Sequence, residues 1–146
     1  MKIEVQLDEK VSERKVVVVT DAVDEEIQDL MRRISQEKPQ VLAGFAGDQV
    51  ALLEQKEIIR IYADRGKVLA VTDRGEFSLR LRLYELEERL DRGSFARISN
   101  SEIVNLRRVK HFDLSYTGTI RVSFSNGDSA FVSRRYLRKI KTVLGL

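Results

Sequence analysis

The sequence predicts a mostly β fold with short helices, an α+β chain, and three patterns carry that reading. Short apolar runs at residues 50–53, 58–62, 68–72, 109–114 and 130–132 are bounded by Gly, Asp, Asn and Ser, the punctuation of strands and turns. Phe77, Leu79 and Leu81, and again Ile120, Val122 and Phe124, alternate with polar or charged neighbours at the period of a half-buried strand. Helical spacing is confined to Ile27, Leu30, Met31 and Ile34, to Leu83, Leu86 and Leu90, and to Leu137, Ile140 and Leu144, so helices are few and short.

Taken in order, Ile3, Val5 and Leu7 alternate with polar residues and VVVVT at 16–20 is β-branched, which predicts two strands. An amphipathic helix follows, with Asp21 or Asp24 as its cap and Glu25 and Glu26 at the positive end of its dipole. It should stop before Pro39, the single proline. Residues 1–40 then form an acidic, ββα-like N-terminal extension, and residues 41–146 form the main domain. Within the latter, residues 44–48 read as a turn. Ala63-Asp64-Arg65-Gly66-Lys67 reads as a tight hairpin, and Asn126-Gly127 as the pair favoured in two-residue hairpin turns. Ser133 suits the N-cap of the last helix and Gly145 its C-terminal stop.

Composition narrows the function. With 42% hydrophobic and 34% charged residues, the chain can bury a core without staples. No apolar run reaches the length of about 18 residues that a membrane span needs, and Met1-Lys2-Ile3-Glu4 lacks the core of a signal peptide. Cysteine is absent, which excludes disulfides and thiolate metal sites. The expected location is the cytoplasm. The net charge of +3 is uneven: residues 1–40 carry −3, residues 41–92 carry −1, and residues 93–146 carry +7. Positive charge concentrated in one region points to a polyanionic partner.

Enzyme chemistry finds no support. His111 is the only histidine and lacks an orienting partner in the pattern around it. Glu85, Glu87 and Glu88 read as a solvated helix face, and the glycines form neither a P-loop nor a dinucleotide fingerprint. No catalytic residue, metal or cofactor is expected.

Nucleic-acid binding has three candidate places. Residues 93–109, GSFARISNSEIVNLRRV, read as a recognition loop in which apolar anchors hold out a polar tip at Ser99-Asn100-Ser101. An Asn amide can pair with an adenine edge, and the serines or the start of a following helix can bind phosphate. Capping of that helix is the plainer alternative. Arg65 and Lys67 flank Gly66 on the hairpin, where they can reach a groove or solubilise a turn. Arg135, near a helix N-terminus, can pair with a guanine edge, while Arg134, Arg138 and Lys139 can take phosphates. A merely basic helix face is the alternative there.

FARISNSEIVNLRRV, the strand pair around SNGD, and FVSRRYLRKIKTVLGL stand in the order and spacing of one family. From about Gln49 to Leu146 the chain resembles the LytTR DNA-binding domain of bacterial response regulators. The resemblance implies an elongated β-β-β sandwich that inserts loops into successive major grooves of direct-repeat promoter sites and bends the DNA. By position, base reading falls on Asn100 and Arg135. The hairpin contact falls near Gly66 and Lys67, where some members have a histidine, so Arg65 or Lys67 would have to supply it. Ser99 stands where some members have another histidine. Ser99, Ser101, Arg134, Arg138 and Lys139 are the expected phosphate contacts.

Residues 1–40 are too short for a receiver domain. The chain therefore looks like a stand-alone LytTR regulator of Gram-positive bacteria, a group often controlled by a membrane protein. The expectation is a regulator that binds double-stranded DNA as a homodimer, with a membrane-protein inhibitor as a further partner. Two rivals stand beside it. One is a protein-interaction module acting through Ile27, Leu30, Met31 and Ile34, with an incidental basic surface. The other is an RNA-binding β domain that stacks bases on Tyr62, Tyr116 and Tyr136.

Overall fold

The computed structural model describes residues 1–35 and 41–146, and the chain divides into two compact units, Met1–Glu37 and Lys38–Leu146. In the first unit the two expected strands do not form. Residues 1–24 hold no strand, and Ile3, Val5, Leu7, Val16, Val17 and Val19 are all exposed. Period-two spacing gives a segment an apolar face but no ladder partner, and an unpartnered strand is not stable in water. The helix is present as α1 (Glu25–Ser35). Asp24, not Asp21, caps it, its Oδ1 accepting the Ile27 N–H at 3.0 Å. The expected stop at Pro39 lies outside the described residues.

Among its described residues the second unit carries ten strands and two α-helices. In order these are β1 (Val41–Ala46), β2 (Gln49–Glu54), β3 (Ile58–Asp64), β4 (Lys67–Thr72), β5 (Gly75–Leu79), α2 (Leu83–Arg89), β6 (Phe95–Ser99), β7 (Glu102–Asn105), β8 (Val109–Asp113), β9 (Arg121–Phe124), β10 (Ser129–Phe131) and α3 (Arg134–Val143). Every pairing is antiparallel. Seven strands form one sheet in the order β2-β1-β5-β4-β3-β7-β6, and three form a second in the order β10-β9-β8.

Two cores explain this arrangement. Leu42, Leu53, Ile61, Leu79, Leu86 and Ile103 belong to a core that α2 covers. Ile59, Ile98, Val104, Val122, Phe124 and Ile140 belong to a second core, shared by the large sheet, the small sheet and α3. Strands β3, β6 and β7 contribute to both, with Ile58 and Ile59, Phe95 and Ala96, and Ile103 and Val104 divided between the two. Residues 93–109 are therefore not a free loop. Residues 95–105 are a β-hairpin, β6–β7, with a core on each face, and a 3-10 turn at Leu106–Arg108 leads from it into β8.

Two turns also differ from expectation. Gly44 lies within β1, and the turn is confined to Gly47-Asp48 between the paired Ala46 and Gln49. A Cβ on Gly44 would lie 2.6 Å from Leu53 Cδ1 and 2.8 Å from Phe77 Cβ, so close packing explains that glycine. The Asn126-Gly127 pair sits in a three-residue loop. Gly127 N–H donates to the Phe124 carbonyl, Phe124 N–H donates to the Asp128 carbonyl, and Gly127 takes a φ of 91°.

Asn105 locks the end of β7. It is 2% exposed, its Nδ2 donates to the Ile58 carbonyl at 2.8 Å, and its Oδ1 accepts the Arg107 N–H at 3.0 Å. Asn105→Ala strands both backbone groups, and urea unfolding of this variant is expected to show a loss of about 1–3 kcal/mol.

Candidate nucleic-acid interface

The tip of the β6–β7 hairpin is built by short-range hydrogen bonds. Ser99 pairs with Glu102 across the hairpin after a bulge in β6, which leaves Asn100 and Ser101 at the turn. The Ser101 N–H donates to Ser99 Oγ at 3.2 Å, and the two hydroxyls lie 3.3 Å apart. The Ser101 carbonyl accepts the Ala63 N–H at 2.8 Å, which ties the tip to β3. A strand follows the tip, not a helix, so neither helix capping nor phosphate binding at a helix start operates there.

Arg97 fixes the outer side of the tip. Its Nε donates to the Ser99 carbonyl at 2.7 Å and its Nη2 to the Asn100 carbonyl at 2.6 Å. Its Nη1 is paired with Glu87 of α2. The Arg97 side chain is only 12% exposed, whereas Asn100 is exposed. The sequence reading missed Arg97 and took Glu87 for part of a solvated face. A cation in a strand between Ala96 and Ile98 gives no pattern that would mark it.

Helix α3 is joined to this tip through the backbone. The Ser133 N–H donates to the Ile98 carbonyl at 2.9 Å, one residue before the Ser99-Asn100-Ser101 tip. Ser133 occupies the N-cap position without a side-chain cap bond. At the other end, Leu146 N–H donates to the Lys141 carbonyl and Gly145 N–H to the Thr142 carbonyl, with Gly145 at a φ of 74°. This is the paired C-terminal closure that a left-handed glycine permits. The tether at Ser133 brings Arg135 to the tip, where its Nη1 lies 3.4 Å from Asn100 Oδ1. Arg134, Arg138 and Lys139 are exposed on the same helix.

Hairpin β3–β4 closes on Arg65 and Gly66, at φ values of 50° and 77°, a two-residue turn whose twist suits the flanking strands. Arg65, Gly66 and Lys67 are exposed. Gly66, Lys67 and Asn100 line one groove of about 940 Å³. The structure thus brings together Asn100, Arg135 and the Gly66-Lys67 hairpin. Ser99 is drawn into the internal bonding of the tip, with its hydroxyl accepting the Ser101 N–H.

Behind the tip lies a charged cluster. Arg60 reaches Glu102 at 3.4 Å and Asp128 at 3.3 Å, and its guanidinium lies 4.6 Å from the Tyr62 ring centre. The Tyr62 hydroxyl donates to Glu76 Oε1 at 3.0 Å. Burial pushes the Glu102 carboxyl above the usual range, with Asp128 adding to the shift and Arg60 opposing it. Burial, reinforced by Glu76, likewise raises Tyr62.

Two expectations follow. A raised carboxyl means that the folded chain holds the Glu102 proton more tightly than the unfolded chain does. Stability contributed at Glu102 therefore grows as pH falls through the raised folded pKa toward the ordinary carboxylate range of the unfolded chain. Unfolding free energies across a pH series should show the native chain gaining on Glu102→Gln as the medium is acidified. In Arg97→Gln the two carbonyl bonds are lost. Amide hydrogen exchange at Asn100 and Ser101 should accelerate while the amides of β9 keep their protection.

The LytTr DNA-binding domain profile matches residues 48–145. Two uncharacterized HTH-type transcriptional regulators of Staphylococcus aureus are each 29% identical over 147 residues, covering 100% of this chain and 99% of their own. A solved LytTr DNA-binding domain from Bacillus cereus has the same fold, with a TM-score of 0.71 over 73% of this chain and 98% of that one at 23% identity. Although those relatives are named HTH-type, no two helices follow one another among the described residues of this chain. With the family profile spanning β2 to α3, the chain belongs to the LytTR DNA-binding domain family, a family of transcriptional regulators and not of enzymes.

Proposed function

We propose that this DNA-binding regulator reads duplex DNA through the β6–β7 tip and the first turn of α3, with β3–β4 assisting. The observation that carries the reading is the meeting of Arg135 with Asn100 on an exposed face, from segments 35 residues apart. Arg suits the O6 and N7 acceptors of guanine, and Asn suits the N6 and N7 edge of adenine in the major groove. Lys67 and Arg65 approach an adjoining base pair from the hairpin. Arg134, Arg138, Lys139 and Ser101 hold phosphates, with Ser99 in a lesser role because its hydroxyl serves the tip.

The family resemblance supports the wider form of this reading: a homodimer on direct-repeat half-sites, each reader in a successive major groove. Chromosomal DNA as partner supports a cytoplasmic location. Residues 41–146 act as the reader, and residues 1–40 as an extension for association. The exposed apolar residues of the first unit, together with Met31 and Ile34 at 50% exposure, support that second role. They give a membrane-protein inhibitor a place to act.

Selection of bound duplexes from a random pool at two salt concentrations tests the reading, with paired repeats as the expected product. On the selected duplex Arg135→Ala should cost about 1–3 kcal/mol and relax preference at one base position. Lys139→Ala should weaken all sequences alike and flatten the salt dependence. Unchanged affinity in Arg135→Ala would remove Arg135 from the site.

A further inference from the structure

The groove beside Asn100 holds two cations that the reading above does not use. Arg80 and Arg82, from the segment between β5 and α2, line it together with Lys67 and Arg97. Arg97 is neutralised by Glu87, and Arg60, Arg74 and Arg108 are likewise tied into ion pairs. Among the described residues Lys67, Arg80 and Arg82 have no such partner, and all three are exposed. The Arg80 guanidinium lies 4.1 Å from the centre of the Phe45 ring, a stacking that holds the group in place without discharging it. Glu76 is the groove's acidic residue, and it accepts the Tyr62 hydroxyl.

We infer that Arg80 and Arg82 form a phosphate track, which carries the DNA backbone away from the Asn100 tip along this groove. The inference rests on the proposed DNA reading and enlarges its footprint. Residues 41–92 carry a net charge of −1, so charge counted along the chain hides the track. Folding separates paired from unpaired cations within that segment and places Lys67, Arg80 and Arg82 around one concavity that Asn100 also lines. A polyanion fits such a row, because each phosphate neutralised releases condensed counterions. Neither arginine reads a base. The contribution is the same for every sequence, and it fixes the register in which Asn100 and Arg135 meet the base edges.

The test uses the full chain, the selected duplex and a shuffled duplex of equal length, with affinities measured across a salt series. An Arg80→Gln, Arg82→Gln double variant should bind both duplexes more weakly by the same factor. Its slope of log affinity against log salt should be shallower by about 2, one for each cation removed. A variant with Lys at both positions should keep the native slope. If the glutamine pair disturbs the cooperative unfolding transition, Arg82→Gln alone leaves the Arg80–Phe45 stacking intact and should flatten the slope by about 1. A native slope and affinity in the glutamine variants, with wild-type selectivity intact, overturns the track and leaves the base reading standing. A loss confined to the selected duplex also overturns it. Wild-type chain that binds neither duplex overturns both readings at once.

Discussion

Burial of the β6–β7 hairpin on both faces is the constraint on which the proposed reading surface depends. Phe95 and Ile103 point into one core while Ala96, Ile98 and Val104 enter the other. The hairpin cannot shift its register by one residue without sending each of these side chains into the wrong core. Its polar tip inherits that rigidity. The Ala63 N–H bond to Ser101 and the Ser133 N–H bond to Ile98 then attach β3 and α3 to the same rigid point. Side chains distant in sequence are placed by backbone hydrogen bonds, and no flexible segment has to search for them.

The interactions around the tip fall into two strengths, and the difference suits recognition. Arg97 is mostly shielded, and it serves two carbonyls and a carboxylate. Removing one partner from so shielded a group leaves charge uncompensated, which makes this contact structural. The Arg135–Asn100 contact is exposed and long at 3.4 Å. A net worth of about 0.5–1.5 kcal/mol is an upper range for such a bond, whereas a bidentate base contact supplies about 1–3 kcal/mol of discrimination. On the proposed reading the pair is exchanged for base edges at little cost, while the Arg97 framework stays closed.

How much was legible in the sequence follows from the same physics. Strands β5 and β9 turn one face to polar, at most half-buried side chains, Glu76 and Ser78 in β5 and Arg121 and Ser123 in β9, so Phe77 and Leu79, and Val122 and Phe124, show the period of two. Strands β6 and β7 have no exposed face. Ala96 and Val104 are buried beside Phe95 and Ile103, the alternation disappears, and the stretch reads as anchors around a loop. The opposite failure occurs at residues 3–7, where the period is present, and at residues 16–20, where the β-branched run is present, with no partner strand to use either. The three candidate places were open to proposal from the sequence because Asn100, Arg135 and Lys67 carry recognisable polar groups in turn or cap contexts. Arg97 and the Arg80–Arg82 pair were not, since their roles depend on which acidic groups the fold brings beside them and which it keeps away.

The packing of α3 supports the proposed reading of DNA by turns and loops. Ile140 is fully buried, and Tyr136, Leu137 and Leu144 pack against the same core, so one side of the helix is committed along its length. Its first turn is tied to β6 through Ser133 and its end is closed by Gly145. A ten-residue helix held in this way, about 15 Å long, cannot lie freely in a major groove as a recognition helix does. What remains available is its N-terminal corner, where Arg134 and Arg135 stand beside the hairpin tip. On the proposed reading, recognition is assembled from that corner and the neighbouring turns, and the sheet that supports them fixes their spacing.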